Sequence, residues 1–73
     1  MKQVPLLAVV ALLEDLPASK LTRGQIGTVV EHLDRAGEHA LLVEFSDEQG
    51  QTCAMIALRA DQLMVLHKSI EAA

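Results

Sequence analysis

Turn-forming residues interrupt this chain before a long helix can develop. They cluster at Pro17-Ala18-Ser19-Lys20, Thr22-Arg23-Gly24, Asp34-Arg35-Ala36-Gly37 and Ser46-Asp47-Glu48-Gln49-Gly50. Turns roughly 10–15 residues apart suit short antiparallel strands joined in series. No repeat, low-complexity stretch or linker lies between them, so residues 1–73 read as a single domain.

The segments between the turns carry strand signals. Leu6 to Leu16 is an apolar run bracketed by Pro5 and Pro17. Its length fits a strand or a helix, and Val9-Val10 tip it toward strand. Ile26 to Leu33 holds three β-branched residues in a row, Thr28-Val29-Val30. Gly24 and Gly27 precede them, and glycines at such a place mark a bulge or a close backbone approach, where a long strand can bend. From Ala40 to Ser46, Leu41, Val43 and Phe45 alternate with Leu42 and Glu44, which puts the first three on a core face. Thr52 to Leu58 should form a hairpin with that strand. Ala54, Ile56 and Leu58 share one of its faces, and Cys53, Met55 and Ala57 the other. Both faces are apolar, so this strand is expected to be covered on both sides. Ala60-Asp61-Gln62-Leu63 reads as one helical turn, and Met64 to His67 as a last strand. Lys68 to Ala73 is expected to be a frayed tail. Five short strands, a glycine-marked bend and one turn before the last strand predict a mainly β fold, a small SH3-like five-stranded barrel. A barrel also removes free sheet edges.

Composition then narrows the functional classes. Half of the residues are apolar, but the apolar content is aliphatic: twelve Leu, ten Ala and seven Val stand against one aromatic residue, Phe45. A chain this short buries only about 60–65% of its unfolded surface. Such chains lean on disulfides, metals or oligomerisation. One cysteine, Cys53, excludes a disulfide within the chain, which leaves oligomerisation as the expected stabiliser. The six basic residues are scattered among ten acidic ones, for a net charge of −4. Phosphate binding wants an unopposed basic patch, and stacking on single strands wants exposed aromatics. Lys2 followed by Leu6 to Leu13 has the outline of a signal peptide, but Glu14-Asp15 follow directly without a small-residue cleavage site. The run is also too short to span a membrane. A cytoplasmic protein with a buried N-terminal strand is expected.

Candidate chemistry is sparse. His32, His39, His67 and Cys53 are the residues suited to metal ligation, and His32 and His39 flank one hairpin turn. No Cys-x-x-Cys or His-x-x-x-His pair exists, so the histidines are expected at the solvent or rim and no cofactor is expected. Cys53, mid-strand among apolar residues, reads as a small packing residue, because a reactive thiol needs an electropositive, partly exposed setting. Glu14-Asp15 and Asp47-Glu48 are adjacent carboxylate pairs. Neighbours in a strand point to opposite faces, and those in turns are solvated. No enzymatic activity is expected.

The positive signal is for association. Leu42, Cys53 and Met55 lie away from the assigned core face, and Met64 or Leu66 should extend that surface. Left exposed, such a patch exceeds what monomers usually tolerate. Leu42, Cys53, Met55 and Met64 are therefore the expected interface, with a second copy of the chain as the expected partner. Arg23, Arg35 and Arg59 are a second choice, as a polar rim or a nucleic-acid contact.

Several short motifs occur in order: Asp15-Leu16-Pro17, Arg23-Gly24-Gln25-Ile26-Gly27-Thr28-Val29-Val30-Glu31, Val43-Glu44-Phe45-x-Asp47, Gly50-x-Thr52 and Ala60-Asp61-Gln62-Leu63. In this combination the sequence resembles a family of very small bacterial proteins known only as a domain of unknown function. The resemblance runs from about Val10 to His67. It implies no activity and no catalytic residue. It implies a stand-alone small protein, in some members next to larger toxin-like or nuclease-like proteins, and hence an accessory or antitoxin-like role. A Gly-x-x-Gly-x-Val stretch is also shared with KOW-type SH3-like modules. A KOW-like nucleic-acid-binding module is accordingly the alternative reading.

Overall fold

The computed structural model describes residues 4–35, 37–46, 49 and 51–67, with the side chains of Arg35, Thr52, Cys53 and His67 outside the description. Five strands form, β1 (Val9–Leu12), β2 (Ile26–Arg35), β3 (Glu38–Ser46), β4 (Thr52–Leu58) and β5 (Leu63–His67). Short 3-10 turns at Pro17–Ser19 and Ala60–Gln62 connect β1 to β2 and β4 to β5. All pairings are antiparallel, in one sheet of order β4-β3-β2-β1-β5. Among the described residues, no helix is long and apolar enough to cross a membrane.

The alternation along β3 builds the core. Leu41, Val43 and Phe45 are completely buried. Register carries the same face to the neighbours: Leu58 lies opposite Leu41, Ile56 opposite Val43 and Ala54 opposite Phe45 on β4. On β2, Val29 lies opposite Val43 and Gly27 opposite Phe45. Ala8, Val10, Leu12, Leu21 and Leu63 complete the cluster. Fully burying one Leu, Val or Phe side chain contributes about 1.5–3 kcal/mol, so this aliphatic cluster is the main source of stability.

Gly27 is required by close approach. A Cβ there would lie 2.7 Å from Val43 Cγ1 and 2.8 Å from Phe45 Cε1. The bend expected at this glycine occurs further along β2. The pairing of β2 with β3 shifts register between Val29 and Glu31, so the bulge falls at Val30. A bulge bends its strand and increases the local twist.

The N-terminal run differs from expectation. Only Val9–Leu12 is strand. Before it, the Ala8 N–H donates to the Pro5 carbonyl and closes a tight turn, with Leu7 in the left-handed region at φ 67°. Beyond it, the chain leaves the sheet at Leu13, whose N–H donates to the Gln62 carbonyl.

The long connection into β2 is pinned from inside. The Asp15 carboxylate accepts from the Arg23 backbone N–H at 2.8 Å. Leu16 and Leu21 pair across the loop, and the Gly24 N–H donates to the Leu12 carbonyl. Gly24 has φ 90°, a conformation a side chain would strain. The connection between β2 and β3 is shorter than expected, because β2 runs to Arg35 and β3 begins at Glu38. The expected turn from Asp47 to Gly50 and the tail after His67 fall largely outside the described residues.

Candidate association surface

The face of the sheet turned away from the core is built from the other half of each alternation. Leu33 on β2 lies opposite Ala40 on β3, and Leu42 on β3 lies opposite Glu31 on β2 and Ala57 on β4. Next along β4, Met55 lies opposite Glu44. Leu33, Ala40, Leu42, Ala57 and Met55 thus form an apolar stripe across three strands. Leu33, Ala40 and Ala57, with Glu38, also line a shallow depression of about 230 Å³. That is below the usual range for a small-molecule site, about 300–1,000 Å³. Glu31, Glu38 and Glu44 edge the stripe.

The sequence-predicted residues fall as follows. Leu42 is half-buried within the stripe, and Met55 is 52% exposed on it. The outward face of β4 is therefore open, contrary to the expectation that both faces would be covered. No described element packs over it, because the N-terminal segment turns inward and lays Val4 against the core. Met64 is also 52% exposed, but it sits on β5 opposite Ala11, at the other end of the strand order from Met55. The backbone of Cys53 lies on β4, and its side chain is outside the described residues.

The three arginines occupy separate connections. Arg23 is in the turn before β2, held through its backbone by Asp15. The Arg59 guanidinium donates to the Asp61 carboxylate at 3.0 Å. Arg35 ends β2, with its side chain outside the described residues. Acidic groups stand beside two of the three.

Leu66, named in the sequence as an alternative to Met64, is 48% exposed. The structure also supplies exposed apolar residues that sequence reasoning left out: Leu6, Leu7, Ile26 and Val65 are each at least 41% exposed. Met64, Val65 and Leu66 follow one another on β5, which among the described residues pairs only with β1. The signal was present in the run Leu63-Met64-Val65-Leu66, which lacks a charged residue at the position where an edge strand usually carries one.

Of the two positions expected for the histidines, solvent or rim, His32 and His39 take the rim: both are half-buried, and their rings meet edge to face. Period two predicts this for His39, which continues the Leu41-Val43-Phe45 face toward the hairpin tip.

The model of one family, described as a domain of unknown function (DUF4926), matches residues 6–65 of the chain. No curated protein and no solved structure matches it.

Proposed function

The chain belongs to the DUF4926 family, a domain of unknown function matched over residues 6–65, and from that premise we propose that it is a non-enzymatic association module that pairs with a second copy of itself. The architecture we propose is a partly open SH3-like barrel. The order β4-β3-β2-β1-β5, the bulged β2 shared between both halves, and the 3-10 turn between β4 and β5 support it.

One observation carries the functional reading. On the outward face of β2, β3 and β4, Leu33, Ala40, Leu42, Ala57 and Met55 form one contiguous apolar stripe, with Met55 52% exposed at its β4 side. Surfaces this apolar mark binding faces in small proteins. The proposed interface centres on Leu42 and Met55 with Leu33, Ala40 and Ala57, and Cys53 extends it along β4, while Met64 on β5 lies at the other end of the strand order, apart from it. Burial of aliphatic area drives association, at about 25 cal/mol per Å² removed from water. A two-fold axis through the stripe would pair the same face with itself. Glu31, Glu38 and Glu44 then meet their own copies at the rim, so salt should hold or tighten the pair by screening them.

Size exclusion with light scattering at low and high salt tests the reading. The expected mass exceeds that of one chain at both. Met55→Glu is expected to return the mass of one chain with an unchanged far-UV spectrum. A single-chain mass for the wild type at all concentrations would reject self-association and leave the surface to a different protein, such as the larger partner of an accessory or antitoxin-like role.

A further inference from the structure

The outward stripe carries a hollow at one end and a protrusion at the other. Its residues fall in rows across the strands: Leu33 with Ala40, then Glu31, Leu42 and Ala57, then Glu44 with Met55. The depression of about 230 Å³ lies at the first end, between Leu33, Glu38, Ala40 and Ala57. Its cause is local. Ala40 and Ala57 carry only a methyl group, and β4 ends at Leu58, opposite Leu41, so Ala40 faces no β4 residue. Met55 stands out at the second end, 52% exposed. Leu42 lies midway, half-buried.

A hollow and a protrusion on one face complement each other in a second copy only under a particular symmetry. In a two-fold contact, a residue i that meets residue j is matched by j meeting i. An axis along the Leu42 row, at right angles to the strands, exchanges the Ala40 row with the Met55 row and keeps β4 over β4. These rows are four residues apart on β3, about 13 Å at about 3.3 Å per residue. Met55 of each copy then comes over the place where β4 of the other has ended, and Leu42 meets Leu42. An axis along the strands would instead set hollow against hollow and leave a void, whose lining loses its contacts. The chemistry of the two parts agrees. The hollow is below the size of a small-molecule site but accepts a side chain. Methionine, unbranched and with three rotatable bonds, fills irregular gaps of this kind.

We propose that the self-paired form is keyed: Met55 of each copy fills the hollow of Leu33, Ala40 and Ala57 in the other, about a two-fold axis through Leu42. This rests on the stripe being a self-association face and adds the register of the two copies. The register also selects the partner. An aliphatic surface without a protrusion and a hollow at the same spacing leaves Met55 incompletely buried, so the chain's own face is preferred over it. Glu38, at the mouth of the hollow, comes near Glu44 beside the incoming Met55, which puts the repulsion that salt screens at the rim of the contact.

A complementary pair of substitutions tests the register, with pairing followed by sedimentation equilibrium. Ala57→Leu fills the hollow, and Met55→Ala removes the side chain that enters it. Each alone is expected to weaken pairing about tenfold. Together they are expected to restore it to within about threefold of wild type, because Leu at position 57 fills the hollow from its own chain and the shortened residue leaves it room. Ala57 is exposed, so the fold should accept the larger side chain, and an unchanged Tm in dilute solution checks this. Ala40→Leu, from another wall of the hollow, repeats the test if Ala57→Leu lowers that Tm. A wild-type chain that stays single at every concentration rejects the stripe as a self-association face and the register with it. A wild-type chain that pairs, with losses that add in the double variant or with Ala57→Leu leaving pairing unchanged or tighter, rejects the register alone.

Discussion

Two residues show how differently one rule operates at different sites. Gly27 is needed because Val43 and Phe45 occupy the space a Cβ would take. Gly27→Ala should therefore destabilise the fold by about 1–3 kcal/mol, the usual cost of overpacking a filled core. Urea denaturation would measure this as a lower midpoint at unchanged slope. Leu7 is the opposite case. It holds φ 67° with a side chain 62% exposed. The left-handed conformation costs a branched residue about 1–2 kcal/mol, and glycine returns about 0.5–1 kcal/mol of that through its freer unfolded chain. Leu7→Gly should thus be neutral to stabilising, by up to about 1 kcal/mol. A loss of stability in the same denaturation experiment would mean that the Leu7 side chain packs usefully where it stands.

At the scale of elements, the loops account for the motifs that first drew attention. Asp15 and Arg23-Gly24 are coupled because the Asp15 carboxylate accepts from the Arg23 backbone N–H across a tight connection. Gln62 does more. Its Oε1 accepts from the Arg59 N–H at 2.9 Å, its Nε2 donates to Glu14 at 2.9 Å, and its carbonyl accepts from Leu13. One side chain thereby ties the second 3-10 turn both to its own start and to the exit of β1. Gln62→Ala should cost about 1–3 kcal/mol, two net hydrogen bonds at about 0.5–1.5 kcal/mol each. Asp61→Ala, which removes only an exposed ion pair with Arg59, should stay within about 0.5 kcal/mol. Equal effects in paired denaturation curves would refute the role given to Gln62. The strands themselves were legible in the sequence, because alternation of apolar residues leaves a direct trace, as in β3 and β4. The ends of β1 were not. Leu6-Leu7 and Leu13 are as apolar as the strand between them, and what removes them is hydrogen bonding to the Pro5 and Gln62 carbonyls, which no pattern encodes. The bulge at Val30 was missed for a related reason. A glycine nearby drew the prediction, yet the bulge depends on pairing with Leu42 and Val43 across the sheet. The histidine pair was half legible: His32 and His39 flank one turn, but their contacts to the Val4 carbonyl and the Asp34 carboxylate depend on the fold.

The whole molecule measures 37 × 30 × 18 Å. Its thinnest dimension is about two sheet layers, which lie ≈ 10 Å apart. A curled sheet of this thickness encloses one aliphatic cluster and leaves the outward face of β2, β3 and β4 to solvent. A chain this short obtains limited stability from one core. If the outward stripe pairs with a second copy, association adds to folding by mass action, since only the folded chain presents the stripe. Tm should then climb with protein concentration. Met55→Glu should abolish that dependence and leave a constant Tm close to the wild-type value at its most dilute, because Met55 is half-exposed within its own chain and contributes little to the monomer's core. Differential scanning calorimetry over a hundredfold concentration range would separate the terms. A wild-type Tm independent of concentration would show that the core alone carries the fold, and the exposed stripe would then contribute nothing to its stability.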